Sequence, residues 1–247
     1  MFSELNYSHY SRPSVVVWLS MAFQAGAINT GGYLACHRFV SHTTGFATLF
    51  GESLAEGKVS QAMSLISVPF FFLIGAMISA IFVDKQKAEG KTPLYVIVFF
   101  LMSLFLLLVL FVGVRGGFGT FGAAENEWQN YNLMALLCLT SGMQNATVTT
   151  AFRSVIRTTH LTGLTTDLGI GIVRMIFANH LNVSRDEERK ANWMRTGIIT
   201  FFVLGALTSS LIYLRSQYVG FLLPFIVSLG LFIYTLRNFL DKKLFKV

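Results

Sequence analysis

The sequence predicts an all-α membrane protein of about six transmembrane helices. These form two inverted three-helix repeats, each with a short re-entrant or broken helix. Three observations support this fold: an apolar composition, blocks of sequence that occur twice, and the placement of basic residues. The chain of 247 residues is 53% hydrophobic and 13% charged, whereas a typical soluble domain has about 25% charged residues. We expect one integral domain, residues 1–247, in contact with the lipid bilayer.

The first repeat is predicted to cover residues 14–114. It opens with an apolar segment at 14–36 that is too long for a signal peptide, and it continues with full spans at 62–83 and 93–114. The segment at 39–54 is shorter. As a helix it would be about 24 Å long, less than the roughly 30 Å of a hydrocarbon core. We therefore predict that it enters the membrane and returns.

The second repeat, residues 131–237, shows the same order, with spans at 133–152, 196–214 and 218–236. Three blocks recur in the same sequence, which makes coincidence a poor explanation. The recurring blocks are Gly26-Ala27-Ile28-Asn29 with Gly142-Met143-Gln144-Asn145, His42-Thr43-Thr44-Gly45 with His160-Leu161-Thr162-Gly163, and the segment Phe71 to Ser79 with the segment Phe201 to Ser209.

The basic residues set the predicted orientation. They concentrate in the connections 84–91 and 185–195 and in the C-terminal tail, as expected of cytoplasmic loops. With these three regions on one side, six crossings fit and both termini are cytoplasmic. Three crossings per half then invert the second repeat. The alternative is eight spans in two parallel four-helix repeats, with both short segments crossing. The net charge of +7 is accounted for by this bias, so no nucleic-acid partner is expected.

The two His-x-Thr-Gly blocks are the candidate site, because a broken helix exposes backbone groups that need protein or water as partners. We predict that Thr44 and Thr162 cap half-helices whose positive ends face a solute. The alternative is a continuous helix in which glycine and threonine only permit close packing. The predicted substrate-binding residues are His42, Thr44, Gly45, Thr48, His160, Thr162, Gly163, Thr166, Asn29, Gln144 and Asn145.

Other polar residues within the apolar segments leave two interpretations open. The two histidines exchange protons or lie at the mouths of the short segments. The amides line a solute path or hold helices together. Asp167 is expected to form an ion pair, with Arg157 and Arg174 as its candidate partners, because an isolated acid in an apolar segment is costly.

Two stretches also carry a family resemblance. Phe39-Val40-Ser41-His42-Thr43-Thr44-Gly45 is similar to a Phe-Val-x-x-x-Thr-Gly motif. Gly142-Met143-Gln144-Asn145-Ala146 and Val155-Ile156-Arg157-Thr158-Thr159-His160-Leu161-Thr162-Gly163 are similar to two further motifs. Over about 14–236 the chain thus resembles the YoaK-like family of bacterial membrane proteins of unknown function. The resemblance implies a multi-pass protein of the bacterial cytoplasmic (inner) membrane with a transport role. Family members often carry an acid where this chain has Asn29.

We therefore predict a transporter or channel for a small polar or anionic solute, with its site between the two His-x-Thr-Gly segments at the repeat interface. The alternative is a non-transporting membrane scaffold or sensor protein. Nucleophile, phosphate-loop and zinc-protease patterns are not found, so we expect no enzymatic activity, cofactor or metal. Whether the chain forms a homo-oligomer is left open by the sequence.

Overall fold

The computed structural model of the chain describes residues 12–123, 127–151 and 161–244. Every regular element in these ranges is helical, which confirms the prediction of an all-α membrane protein. The elements are α1 Arg12–Cys36, α2 Thr43–Ala55, α3 Val59–Leu65, α4 Ser67–Phe82, α5 Asp84–Ala88, α6 Tyr95–Val114, α7 Glu127–Ala151, α8 Leu161–Ile176, α9 Ala178–Leu181, α10 Arg185–Ser216, a 3-10 turn Gln217–Phe221, and α11 Leu222–Leu244.

Within the described residues, three helical stretches are long and apolar enough to cross a membrane: Val59–Ala88, Tyr95–Val114 and Arg185–Asp241. The last stretch contains both α10 and α11, joined by the 3-10 turn. α1 and α7 have 25 residues each, about 37 Å of helix. They are more polar, and several of their polar side chains, including Gln24 and Gln144, are buried inside the bundle.

α10 crosses α1 at close range near the middle of both helices. A Cβ atom added to Gly26 would lie under 3.0 Å from the carbonyl oxygen of Phe202, and one added to Gly205 would lie equally close to that of Phe23. Only a residue without a side chain lets two backbones approach this far. These two glycines therefore allow α1 and α10 to pack backbone against backbone.

The α4–α7 crossing has the same construction. A Cβ on Gly142 would collide with the carbonyl oxygen of Phe72, and a Cβ on Gly75 with that of Leu139. In the sequence repeat, Gly26 corresponds to Gly142 and α10 corresponds to α4. The first long helix of each repeat thus packs on the second long helix of the other repeat: α1 on α10, and α7 on α4. The two crossings are equivalent.

The helix directions within these two pairs follow from contacts further along. Gly31, near the end of α1, meets Tyr213, near the end of α10, so these helices run parallel. The Ser79 and Thr147 hydroxyls, both past the α4–α7 crossing, lie 2.8 Å apart. α4 and α7 are therefore parallel as well.

α1 and α7 form the centre of the bundle and run antiparallel. The amide nitrogen of Gln144, late in α7, donates a hydrogen bond of 2.5 Å to the Met21 carbonyl, early in α1. Ile28, later in α1, shares a hydrophobic cluster with Leu137, earlier in α7. Because α1 and α7 are equivalent helices, their antiparallel contact places a pseudo-twofold axis across the bundle.

The third helices of the repeats, α6 and α11, also pair antiparallel. The rings of Phe100, early in α6, and Phe232, midway along α11, lie 5.6 Å apart. Gly113, near the end of α6, contacts Tyr218, just before α11. The axis thus relates α1 to α7, α4 to α10 and α6 to α11, the relation expected of an inverted repeat.

These directions decide the course of the short segments. Because α1 and α4 are antiparallel, the connection that contains α2 and α3 leaves and returns at the same end of the bundle. α8 likewise lies between the end of α7 and the start of the antiparallel α10, at the opposite end. The alternative of eight spans in parallel repeats is therefore wrong.

The two ends of the bundle differ in charge. The connections that contain α2 and α3, the start of α7, and the 3-10 turn hold only four of the 19 Lys and Arg residues, namely Arg38, Lys58, Arg115 and Arg215. Three acids at described positions, Glu52, Glu56 and Glu127, occur in the same connections. We call this the neutral end. The other end, with the connection 84–91 and the start of α10, is the basic end.

The crossing glycines give a direct test. Gly142→Ala should destabilise the protein by about 1–3 kcal/mol, because the new methyl group overpacks a backbone contact. Gly230→Ala is the matched control: it lies in α11, and a Cβ there meets no atom within 4 Å. Thermal unfolding in detergent should show a lower midpoint for the first variant and an equal or higher one for the second. Equal midpoints would contradict the close crossing.

Candidate functional site: two re-entrant helices

The segment before α2 returns into the bundle. The chain turns at His37, which has a φ of 55°, and the Ser41 hydroxyl then donates a buried hydrogen bond of 3.0 Å to the Asn29 side-chain oxygen. Asn29 precedes the end of α1 by seven residues, or about 10 Å of helix. α2 therefore starts about 10 Å below the neutral end and runs back towards it.

α8 enters from the basic end with the opposite polarity. Its last turn is held there, because the Arg185 guanidinium donates a 3.1 Å hydrogen bond to the Met175 carbonyl. Gly171 lies against Asn192 of α10, so the two helices run antiparallel. The start of α8 at Leu161 is about 21 Å deeper than Met175 along the helix axis. Both short helices thus point their N-termini towards the middle of the bundle.

The starts of these helices differ from the predicted caps. α2 begins at Thr43, two residues before Gly45, and no side chain caps its first backbone N–H groups. Thr44 is therefore inside the first turn instead of ahead of it. α8 is described from Leu161, which also puts Thr162 within the helix. A turn whose N–H groups lack a capping side chain retains hydrogen-bond donors and a partial positive charge.

The glycines of the two motifs face open space. A Cβ added to any of them meets no atom of the described residues within 4 Å beyond its own helix turns, and none of them has a positive φ. They are Gly45 and Gly51 in α2 and Gly163 and Gly169 in α8. The interpretation that these glycines only permit close packing is therefore not supported, in contrast to the glycines of the helix crossings.

A comparison with protein families assigns this architecture. A family model described as "Protein of unknown function (DUF1275)" matches residues 17–234. The chain belongs to the DUF1275 family. This confirms the resemblance noted in the sequence, because the YoaK-like family is the DUF1275 family. No curated protein and no solved structure matches the chain.

The predicted site residues of this DUF1275 member divide into two groups. The threonines of α2 and α8 are exposed, and the Thr166 hydroxyl donates to the Thr162 carbonyl within its own helix. Asn29 and Gln144 are buried and hydrogen-bonded to Ser41 and to the α1 backbone. The carbonyl of Asn145 accepts a bond from Thr149. Thr48 is exposed on α2.

The histidines are only partly described. His42 directly precedes α2, is half-buried, and stacks on Phe39 with 5.0 Å between the ring centroids. His160 lies outside the described residues, so proton exchange by the two histidines stays a prediction. α2 packs on α3 and the start of α4, whereas α8 packs on α9 and α10. The structure thus directs both motifs inward from opposite ends without packing one helix on the other.

The predicted ion pair takes a different form. Arg174 pairs with Glu188 at 3.2 Å instead of with Asp167. Asp167 is exposed, and no described residue forms an ion pair with it. Arg157 lies outside the described residues. The predicted ion pair does not form because Arg174 lies two helix turns beyond Asp167, at the basic end of the bundle. There Arg174 meets Glu188 of α10.

Sequence reasoning missed the buried polar cluster around that acid. The second oxygen of Glu188 lies 3.5 Å from the Arg195 guanidinium, which donates a 2.6 Å hydrogen bond to Asn192. Arg195 is only 7% exposed. The spacing of these residues at i, i+4 and i+7 on α10 marks one helix face. That face continues into buried Ile198 and Phe202. This continuity along one helix face is the sequence signal that indicates the cluster is buried.

A groove of about 440 Å³ lies between α1 and α11. Its lining is mainly apolar and includes Val17, Ser20, Val227 and Leu231. It touches neither α2 nor α8. The groove is therefore not part of the re-entrant site.

The charged cluster at the base of α8 predicts a stability effect. Glu188→Gln should destabilise the protein by roughly 3 kcal/mol, because it leaves the buried Arg195 without its counter-charge. Glu187→Gln provides the control, since that side chain is exposed on the same helix turn. Thermal unfolding of both variants measures the difference. A Glu188→Gln protein as stable as the control would show that Glu188 adds no net stability to the cluster of Arg174, Glu188 and Arg195.

Proposed function

We propose that this DUF1275 protein is a transporter or channel for small solutes, with a site at the inward-facing N-termini of α2 and α8. The observation that carries the proposal is the contrast between two sets of repeated glycines. Those at the helix crossings are used for packing, while Gly45 and Gly163 occupy equivalent positions against open space. Glycine at such a position leaves backbone N–H groups accessible to a solute.

The electrostatics of the two helix starts favour a neutral or anionic solute. Each N-terminus carries about half a positive charge, and α2 has no capping side chain. The acids of the short helices lie elsewhere: Glu52 is near the end of α2, and Asp167 is several residues into α8. A cation at the helix starts would therefore be repelled.

A non-transporting scaffold or sensor is the second candidate, and one observation favours it. The buried bonds Ser79–Thr147 and Ser41–Asn29 link separate segments of the bundle, as expected where polar groups only hold helices together. Such a protein would keep its fold without passing any solute. A flux measurement therefore separates the two candidates.

We further propose that the basic end is cytoplasmic and that both termini lie on that side of the bacterial cytoplasmic membrane, because basic residues are retained inside. Single cysteines are introduced after Cys36 and Cys138 have been replaced by alanine. In intact cells, cysteines at Glu56 and Arg115 should react with an impermeant maleimide. Those at Lys87 and Arg189 should react only after the membrane is opened. Labelling at position 189 in intact cells would refute this orientation.

The solute proposal is tested by flux into proteoliposomes, with formate and nitrate as anions, urea as a neutral solute, and sodium and potassium as cations. Formate, nitrate or urea should enter, and Thr44→Val and Thr162→Val should each slow entry about fivefold to tenfold, the effect of one lost hydrogen bond. Thr208→Val, an identical change at an exposed position of α10, should have no effect.

Two results would overturn this proposal. Flux restricted to sodium or potassium would exclude a site made of positive helix ends. Equal flux in all three threonine variants would show that the helix starts do not touch the solute.

A further inference from the structure

A layer of buried polar side chains crosses the middle of the bundle on the side of α1 away from α10. Two hydrophobic clusters fill the bundle, one around Trp18 and Phe99 towards the basic end and one around Ile28 and Phe221 towards the neutral end. Between them, α1, α6, α7 and α11 each contribute polar residues. We call this set the polar layer: Gln24, Ser103, Thr140, Gln144 and Ser228, all at most 5% exposed.

Half of the layer is satisfied by the protein itself. The hydroxyls of Ser103 and Thr140 donate bonds of 2.8 Å to carbonyls of their own helices. The Gln144 nitrogen is bonded to the Met21 carbonyl. The two hydroxyls need no further partner for their donors, and one of the two N–H donors of Gln144 is satisfied.

The other half has no partner among the described residues. Both amide atoms of Gln24, the Gln144 oxygen and the Ser228 hydroxyl are fully enclosed and make no hydrogen bond with the described part of the chain. Gln24 lies one helix turn from Met21, whose carbonyl binds the Gln144 nitrogen, so both residues belong to the stretch where α1 meets α7. Groups of this kind are costly in an apolar interior unless something binds them.

The groove between α1 and α11 offers a route that ends one helix turn from this layer. Ser20 in its lining precedes Gln24 by one turn of α1, and Leu231 follows Ser228 by one turn of α11. The groove carries no charged residue. A molecule that takes this route therefore meets an apolar approach followed by uncharged donors and acceptors.

We propose that the polar layer binds one small neutral solute that both donates and accepts hydrogen bonds, as a urea or simple carboxamide does. Carboxamides and hydroxyls match such a molecule group for group, with the Gln24 nitrogen donating and the Gln24 and Gln144 oxygens accepting. An ion in the same place would lose its hydration without meeting a counter-charge. This inference rests on the proposed transport function and narrows its solute to the neutral class.

The test compares urea, acetamide, chloride and water permeability of proteoliposomes by stopped-flow light scattering. The native protein should admit urea and acetamide. Gln24→Leu should slow both at least tenfold, with an unchanged or higher unfolding temperature, because leucine removes unpartnered amide atoms from an apolar interior. Ser228→Ala should slow them less and fold normally. Gln61→Leu, the same change at an exposed position of α3, should behave as the native protein.

Several outcomes would overturn the inference alone. Normal urea flux in Gln24→Leu together with a lower unfolding temperature would show that the Gln24 amide stabilises the fold and does not bind the solute. If vesicles with the native protein pass chloride but neither urea nor acetamide, the polar layer binds no neutral solute, and the helix starts are the only solute site. Passage of water without urea or acetamide would assign the layer to bound water. If the native protein passes none of the four, the proposed transport function fails together with this inference.

Discussion

The backbone contact between helices at paired glycines is the constraint on which the rest of the bundle depends. In a membrane there is little hydrophobic gain when one apolar helix leaves lipid for another, so close packing and interhelical hydrogen bonds have to supply the association. Gly26 and Gly205 supply it for α1 and α10, and Gly75 and Gly142 for α4 and α7. Each contact joins a helix of one repeat to a helix of the other, so neither repeat can form its core alone.

That exchange of partners also explains the place of the short helices. α4 packs on α7 and α10 on α1, so the two helices that flank the short segments are held by different members of the central pair. α2 contacts α4 at the neutral end, and α8 contacts α10 at the basic end. The bond from Ser41 to Asn29 and the cluster of Arg174, Glu188 and Arg195 fix the two helices by different chemistry. The inverted repeat is thus symmetric in its crossings and asymmetric in its re-entrant parts.

Polar groups in this interior fall into three physical classes. Some, such as Ser79 and Thr147, bond across helices and hold them in register. Others, such as Thr166, bond back to their own helix. A third class, represented by Gln24, is enclosed without a partner in the described chain. The groups that bond across helices or within their own helix contribute to stability. Only the helix starts and the enclosed groups without a partner offer donors and acceptors to a solute.

The sequence by itself determined the helical class, the inverted repeat and the non-crossing short segments. These follow from composition, segment length and the distribution of basic residues, all of which are local or countable along the chain. The tertiary structure decided which partners meet. Arg174 was placed near Asp167 by sequence proximity, but α10 brings Glu188 closer. In the sequence, the repeated glycines are indistinguishable from one another. Only the packing separates the crossing glycines from Gly45 and Gly163, because the space around a residue depends on helices that are distant in the chain.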